Sequence, residues 1–399
     1  MSQARSSSTS SSKASELRKF FTGLLAPLVI CALYAGFATL VLVRAGEYMP
    51  LDKIIEKLER TDGHYGSAIL QRGFYYKLHV FRARNPRIVA LGSSRVLGFR
   101  QEDFAQPFSN LGILSDLDEL YEVATTLFKD GKAPQTVILG VDFWWFHPQA
   151  TDRVVNRSPE NPHIEANDLF QPALWLMQGK LAWKDVFEII DESSPNIGIF
   201  GITQGDGFDK AGAYYYTSTL RGARKSEDYK FKTNLAQIKN SHRKYAHGKE
   251  ISAAQWQKFL KLVDYMQLQG IRIVMFVPPL AERVYKAMDE TGGYGYVTEL
   301  RKKLGMLAAE RNMPFFDYHE GGPRGASECE FIDSHHGGTT VYQRILLDMA
   351  TKDDDLRGRL NLAEIGWNIE HYAGRASLRD DETDFLGIGC DKPAKAPSN

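Results

Sequence analysis

Between Phe20 and Val43 the chain reads FFTGLLAPLVICALYAGFATLVLV, 24 residues without a single charge. About 20 consecutive apolar residues suffice to cross a bilayer as a helix, and a core helix of a soluble domain seldom runs this long without a polar face. Pro27 and Gly36 are compatible with a membrane helix, where both residue types are tolerated. Arg5, Lys13, Arg18 and Lys19 precede the run against Glu16 alone, and Arg44 is the one cation close behind it. The positive-inside rule then leaves the N-terminus in the cytoplasm and the rest of the chain outside. The run is too long, and lacks a small-x-small cleavage site, for a cleaved signal peptide. It reads as an uncleaved single-pass signal anchor in the cytoplasmic (inner) membrane over residues 20–43, preceded by a Ser-rich, disordered leader over 1–19. In a Gram-negative cell the globular part would lie in the periplasm.

After the span, LDKIIEKLER places Leu51, Ile54, Ile55 and Leu58 on one helical face, and residues 44–84 read as a stalk or linker helix. From 85 to 355 apolar runs alternate with amphipathic ones. RIVALG, PFSNLGI, TVILGVDFWWF, IRIVMFVPP and PFFDYHE are strand candidates, and GGTTVYQRILLDMA is a closing helix. Strands alternating with helices predict a parallel α/β sheet wrapped on both faces, and the nearly continuous apolar strands fit that burial. The pattern breaks over about 150–268, which reads as an insertion able to wall or cap a site. Residues 356–399 form a C-terminal extension. Lys plus Arg and Asp plus Glu both number 49, so no basic excess favours a nucleic-acid partner.

In doubly wound sheets, sites form at the carboxyl ends of strands. Gly92-Ser93-Ser94-Arg95, Asn110-Leu111-Gly112 and Gly140-Val141-Asp142 all fall there. A serine at such an end becomes a nucleophile only with a base and a group that orients the base. FIDSHHGGTT supplies Asp333 and His336 three residues apart, before the closing helix. A carboxylate so placed can hold one imidazole nitrogen as a donor and leave the other to take a serine proton. His335 competes for the same role, and spacing does not separate the two.

The order of these blocks resembles the SGNH/GDSL hydrolases. Gly92-Ser93-Ser94 stands where that family has Gly-Asp-Ser, Asn110-x-Gly112 where it has Asn-x-Gly, Gly140-x-Asp142 where it has Gly-x-Asn, and Asp333-x-x-His336 where it has Asp-x-x-His. The resemblance implies a flavodoxin-like three-layer parallel sheet of the SGNH type. It also implies a triad of Ser94, His336 and Asp333, and an oxyanion hole at Gly112 and position 142. The single anchor and the Gly-Ser-Ser opening are similar to the membrane-bound branch, the DltD-type and alginate-acetylation-type proteins. An O-acyl or O-acetyl ester of an envelope or exported polysaccharide is then the implied substrate, and a membrane-bound O-acyltransferase an implied partner. Asp142 departs from the pattern, because an ionised carboxylate accepts hydrogen bonds but cannot donate one to an oxyanion. Protonation of Asp142 would resolve this. So would donors elsewhere, such as the Ser94 and Gly112 N–H groups or the indoles of Trp144 and Trp145.

Further candidates are substrate-facing. Trp144 and Trp145 are read as a sugar-stacking platform or as packing. Tyr215, in GAYYYTSTLRGARK, is read as lining a glycan cleft with Tyr214 and Tyr216, with Arg221 near an anionic sugar. Arg95 can meet a substrate anion or pair with Asp142 or Asp118. No Cys/His spacing suggests zinc, and no cofactor is expected. Cys329 and Cys390 lie in the exported part, where a disulfide persists if the fold brings them together.

Overall fold

All residues of the first three sheet strands are buried, with no in–out alternation, so both faces of the sheet are covered. These are β1 (Ile88–Leu91), β2 (Phe108–Leu111) and β3 (Thr136–Gly140). In the computed structural model, which describes residues 9–150, 157–223, 225, 226, 228–379 and 382–390, a short antiparallel hairpin follows, β4 (Gly207–Phe208) with β5 (Tyr214–Tyr215). The sheet then resumes with β6 (Arg272–Val277) and β7 (Phe315–Asp317). Its order is β2-β1-β3-β6-β7, all parallel. Counting only these strands along the chain, that is 2-1-3-4-5, a doubly wound arrangement whose direction of winding reverses between β1 and β3.

Helix α1 (Thr9–Ala45) contains the uncharged run and is long and apolar enough to cross a membrane. It already begins at Thr9, inside the leader for which the sequence predicts no structure, because extending an established helix costs far less than starting one. Residues 1–8 lie outside the described part. Nor do residues 44–84 stand off as a stalk. Helix α2 (Leu51–Glu59) turns Leu51, Ile54, Ile55 and Leu58 onto Tyr65, Tyr76 and Val80, and Tyr76 and Val80 belong to α3 (Gly73–Arg84). The opposite face of α3 carries Leu78 and Phe81 into the main core. The apolar face of α2 is the expected one, and its partner, a second helix, makes it part of the domain.

Helix α4 (Leu117–Leu127) joins β2 to β3. The insertion contributes α5 (Gln171–Met177), α6 (Trp183–Ile190) and α7 (Ile199–Gln204). It ends earlier than the sequence predicts. Helix Ala253–Leu268 sends Phe259, Leu262, Val263 and Met266 into the main core and is the ordinary crossover into β6. The C-terminal extension is packed down: Ile365, from helix Leu362–His371, joins the same core, and Cys329 and Cys390 are disulfide-bonded with Cα atoms 5.6 Å apart.

Candidate active site

Gly92 follows the last residue of β1, and Ser93 caps the next turn by accepting the Arg95 N–H at 3.1 Å. This turn lifts Ser94 to the carboxyl edge of the sheet, at the reversal between β1 and β3. Val96 packs so close to Gly140 that a Cβ there would stand 2.4 Å from its Cγ1, so only glycine lets β3 end beneath the turn. Asn110 joins the turn to the loop after β2. Its Nδ2 donates to the Val96 and Phe99 carbonyls at 2.8 and 3.2 Å, and its Oδ1 accepts the Gly112 N–H at 2.9 Å.

The histidine loop is shaped by its own aspartate. Asp333 Oδ1 accepts the main-chain N–H groups of His335 and His336 at 2.9 and 2.8 Å, and the Ile332 N–H closes the loop onto the His336 carbonyl at 2.8 Å. That leaves Asp333 Oδ2 to accept from His336 Nδ1 at 2.6 Å. With Nδ1 protonated, His336 Nε2 is the acceptor, and it lies 2.8 Å from Ser94 Oγ. The structure therefore brings Ser94, His336 and Asp333, 242 residues apart at the extremes, into one hydrogen-bonded line. Burial alone would raise the Asp333 carboxyl, but the imidazoles of His335 and His336 hold it well below the usual carboxylate range.

The geometry also separates the two histidines. His335 is buried, and burial drives it well below the ordinary imidazole pKa. Its Nε2 accepts from Lys244 Nζ at 2.7 Å, and its ring lies 4.1 Å from that of His336. Burial also brings Lys244 down to about 8. Asp333, His335 and His336 offer ligand atoms within 4.8 Å of one another, as a metal site would. Both nitrogens of His336 are already engaged, however, and the Lys244 ammonium occupies the approach to His335.

Arg95 does not meet a substrate. It is fully buried and holds four chain segments together. Nη1 donates to Asp142 Oδ1 at 2.9 Å, Nη2 to the Pro278 and Pro279 carbonyls at 2.6 Å each, and Nε to the His335 carbonyl at 3.1 Å. Asp142 is thereby the counter-ion of Arg95 rather than an oxyanion donor. Burial raises its carboxyl above the ordinary aspartate value even beside the guanidinium, and its Oδ2 has no hydrogen-bond partner among the described residues. The Gly112 N–H is likewise spent on Asn110. Ser94 and Ile113 carry main-chain N–H groups without a hydrogen bond to another described residue. Ile113 also holds φ at 89°, a strained setting for a β-branched residue of the kind that clusters at functional sites.

Two adjoining cavities share Ser94, Leu97, Tyr214, Tyr216, Ile332 and His336 in their walls, with volumes of about 250 and 380 Å³. Tyr215 lines the smaller one, stacked on His64 at 4.1 Å and covered by the Arg100 guanidinium at 3.9 Å. The larger adds Ile113 and Asp206. Neither tryptophan reaches either cavity. Trp145 is buried, with its indole N–H donated to the Ser115 carbonyl at 2.9 Å; Trp144 lies against Arg95 and His335 and walls a separate cavity of about 210 Å³. Arg221 lines none of these three.

Sequence reading missed Arg100, Ile113 and the stretch Ala376–Leu378, all in the cavity walls. Arg100 lines the cavity together with Arg379, and the buried Nη1 of Arg100 has no hydrogen-bond partner among the described residues. Ala376 reaches the site because Gly338 has no side chain: a Cβ there would lie 2.0 Å from the Ala376 carbonyl oxygen, which accepts the Thr339 N–H at 2.7 Å. No local pattern signals either arrangement. No protein-family model, no curated protein and no solved structure matches the chain.

Proposed function

We propose that the chain is a membrane-anchored serine enzyme that opens acyl esters through Ser94, His336 and Asp333. The observation that carries this reading is the continuous line Asp333 Oδ2–His336 Nδ1, 2.6 Å, and His336 Nε2–Ser94 Oγ, 2.8 Å, at the mouth of two cavities. Such a line activates a hydroxyl at neutral pH.

In this mechanism Ser94 Oγ attacks the ester carbonyl carbon as its proton passes to His336 Nε2. The imidazolium so formed is stabilised by Asp333. Negative charge gathers on the former carbonyl oxygen, and the unengaged N–H groups of Ser94 and Ile113 are the donors assigned to it. Collapse breaks the bond to the alcohol, which leaves with the His336 proton, and the acyl group stays on Ser94. Water entering the same way gives an acid and an esterase; a sugar hydroxyl gives a new ester and an O-acyltransferase.

The resemblance to SGNH/GDSL hydrolases, and to their DltD-type and alginate-acetylation-type branch, points to O-acyl or O-acetyl groups on an envelope or exported polysaccharide. A membrane-bound O-acyltransferase is the matching partner. The apolar helix α1 supports the anchoring, and the Cys329–Cys390 disulfide supports an oxidising compartment outside the cytoplasm. The Tyr214–Tyr216 wall suits a sugar ring, and the Arg100 and Arg379 side chains in the same cavity wall suit an anionic substituent. The spent Gly112 N–H and the engagement of Asp142 with Arg95 favour a second reading, a glycan-binding scaffold on the same fold.

The full chain in detergent micelles, beside Ser94→Ala, tests the choice with p-nitrophenyl acetate and a fluorophosphonate probe. Turnover and labelling that disappear in the variant support the enzyme. A folded wild type that neither turns over nor labels supports the scaffold.

A further inference from the structure

Part of the insertion wraps the last turns of the membrane helix. Tyr34 donates its hydroxyl to the Leu169 carbonyl at 2.6 Å, Phe37 meets Trp183 at 6.2 Å between ring centres, and Val41, Leu42 and Ala45 are buried with Trp175, Leu181, Val186 and Ile189. Helices α5 and α6 thus use one face on α1. Their other face is apolar too, and bare. Phe170, in the turn before α5, and Leu174 and Met177 on it, at i, i+4 and i+7, are 61%, 42% and 83% exposed; on α6 Phe187 is 64% exposed, and Trp183, which meets Phe37 with one side, is still 61% exposed. The exposed apolar surface of α1 itself, from Leu33 to Val43, adjoins this collar.

Length decides where the collar lies. The uncharged run of 24 residues is ~36 Å long at ~1.5 Å per residue, against a hydrocarbon core of ~30 Å. With Arg18 and Lys19 marking the inner boundary, only ~6 Å of the run is left above the core. Yet the collar already touches α1 at Tyr34, nine residues before Val43, or ~13 Å along the axis. It therefore reaches ~8 Å below the outer hydrocarbon boundary, the depth at which amphipathic helices rest in an interface, ~5–10 Å. Lys180 and Lys184 are exposed beside the apolar face and can reach up to lipid phosphates.

We propose that α5 and α6 form a second membrane-binding element, inserted in the leaflet on the side of the α/β domain. This rests on α1 spanning the membrane and not on the chemistry of Ser94. It fixes the orientation of the domain. The buried Glu47 accepts the Ala68 and Ile199 N–H groups at 3.0 and 2.7 Å, joining the end of α1 to the loop before α3 and to α7. The catalytic domain is then held down at two points.

The test uses the full chain in phosphatidylcholine–phosphatidylglycerol vesicles, on a Cys31→Ser background. Nitroxide labels are placed at Met177→Cys, Phe187→Cys, Leu28→Cys and Leu268→Cys, and collision with oxygen is compared with collision with a water-soluble nickel chelate. Leu268 is 81% exposed on helix Ala253–Leu268, away from the collar. The expected result is oxygen-dominated collision at 28, 177 and 187, with 177 and 187 ~5–10 Å deep, and nickel-dominated collision at 268. Lipid contact at 28 with water contact at 177 and 187 overturns the collar and leaves the anchor standing. Water contact at 28 as well overturns both, and neither outcome touches the Ser94 assignment.

Discussion

Arg95 Nε donates to the main-chain carbonyl of His335 at 3.1 Å, so the residue after Ser94 holds the residue before His336. The same guanidinium pairs with Asp142 and caps the end of β6 through Pro278 and Pro279. The serine and histidine loops, which come from opposite ends of the domain sequence, are in this way set by one buried side chain. The Tyr342 hydroxyl donates to the Arg95 carbonyl and adds the closing helix to the assembly.

Removing one partner of a buried ion pair leaves the other charge uncompensated, at a cost of about 3–5 kcal/mol. Arg95→Met is therefore expected to lower the unfolding free energy of the full chain in detergent micelles by that amount, read from urea titration, and to lower activity by loosening the Ser94–His336 distance. Arg95→Met combined with Asp142→Leu removes both charges and is expected to regain part of the stability but not the activity. A double variant no more stable than the single one would show that the carbonyl contacts, not the ion pair, dominate.

His336 and His335 are expected to separate cleanly. His336→Gln removes the acceptor 2.8 Å from Ser94 Oγ and is expected to reduce kcat by at least about a thousandfold. Asp333→Asn leaves a side chain that favours the wrong tautomer and is expected to cost roughly a thousandfold to ten-thousandfold. His335→Gln keeps the Ser94–His336 line and is expected to retain more than about a tenth of wild-type activity, a loss typical of packing near a site rather than of a proton carrier. Ester-hydrolysis rates for the three variants, with fluorophosphonate labelling, check the order.

Lys244 titrates at about 8 in the folded chain because burial disfavours its charge, against 10.5 for an ordinary lysine. Between these values the native state binds fewer protons than the unfolded chain, so the stability contributed by this group rises with pH across that window. Below pH 8 both states are protonated and the penalty is constant. Thermal midpoints of wild type and Lys244→Met, measured from pH 7 to 10, are expected to diverge above about pH 8, with the wild type gaining. Parallel curves would show that Lys244 is not desolvated.

Val41, Leu42 and Ala45 belong to the same buried cluster as Trp175, Leu181, Val186 and Ile189. Burial of a side chain the size of Val41 or Leu42 contributes about 1.5–3 kcal/mol. A chain that starts at Glu47 is expected to aggregate, whereas one that starts at Leu33 is expected to remain monodisperse in mild detergent. Light scattering during size exclusion distinguishes them, and a monodisperse protein starting at Glu47 would show that the cluster is dispensable.

The long apolar helix, the strands and the Asp333–His336 pair could be read from the chain because each depends on neighbours in sequence. An uncharged run needs only length to cross a bilayer. A strand buried on both faces shows as an unbroken apolar run, as in Ile88–Leu91. Asp333 shapes its loop through N–H groups two and three residues on. Tertiary structure alone decided what Arg95 and Asp142 do, since a charge reads alike whether it meets substrate or another charge 47 residues away. It also chose between His335 and His336, which local spacing leaves equal and which only the approach of Ser94 and Lys244 distinguishes. It placed Arg100, Ile113 and Ala376 in the cavity walls, because which distant segments meet at a sheet edge is set by strand order and packing, not by any residue's own neighbours.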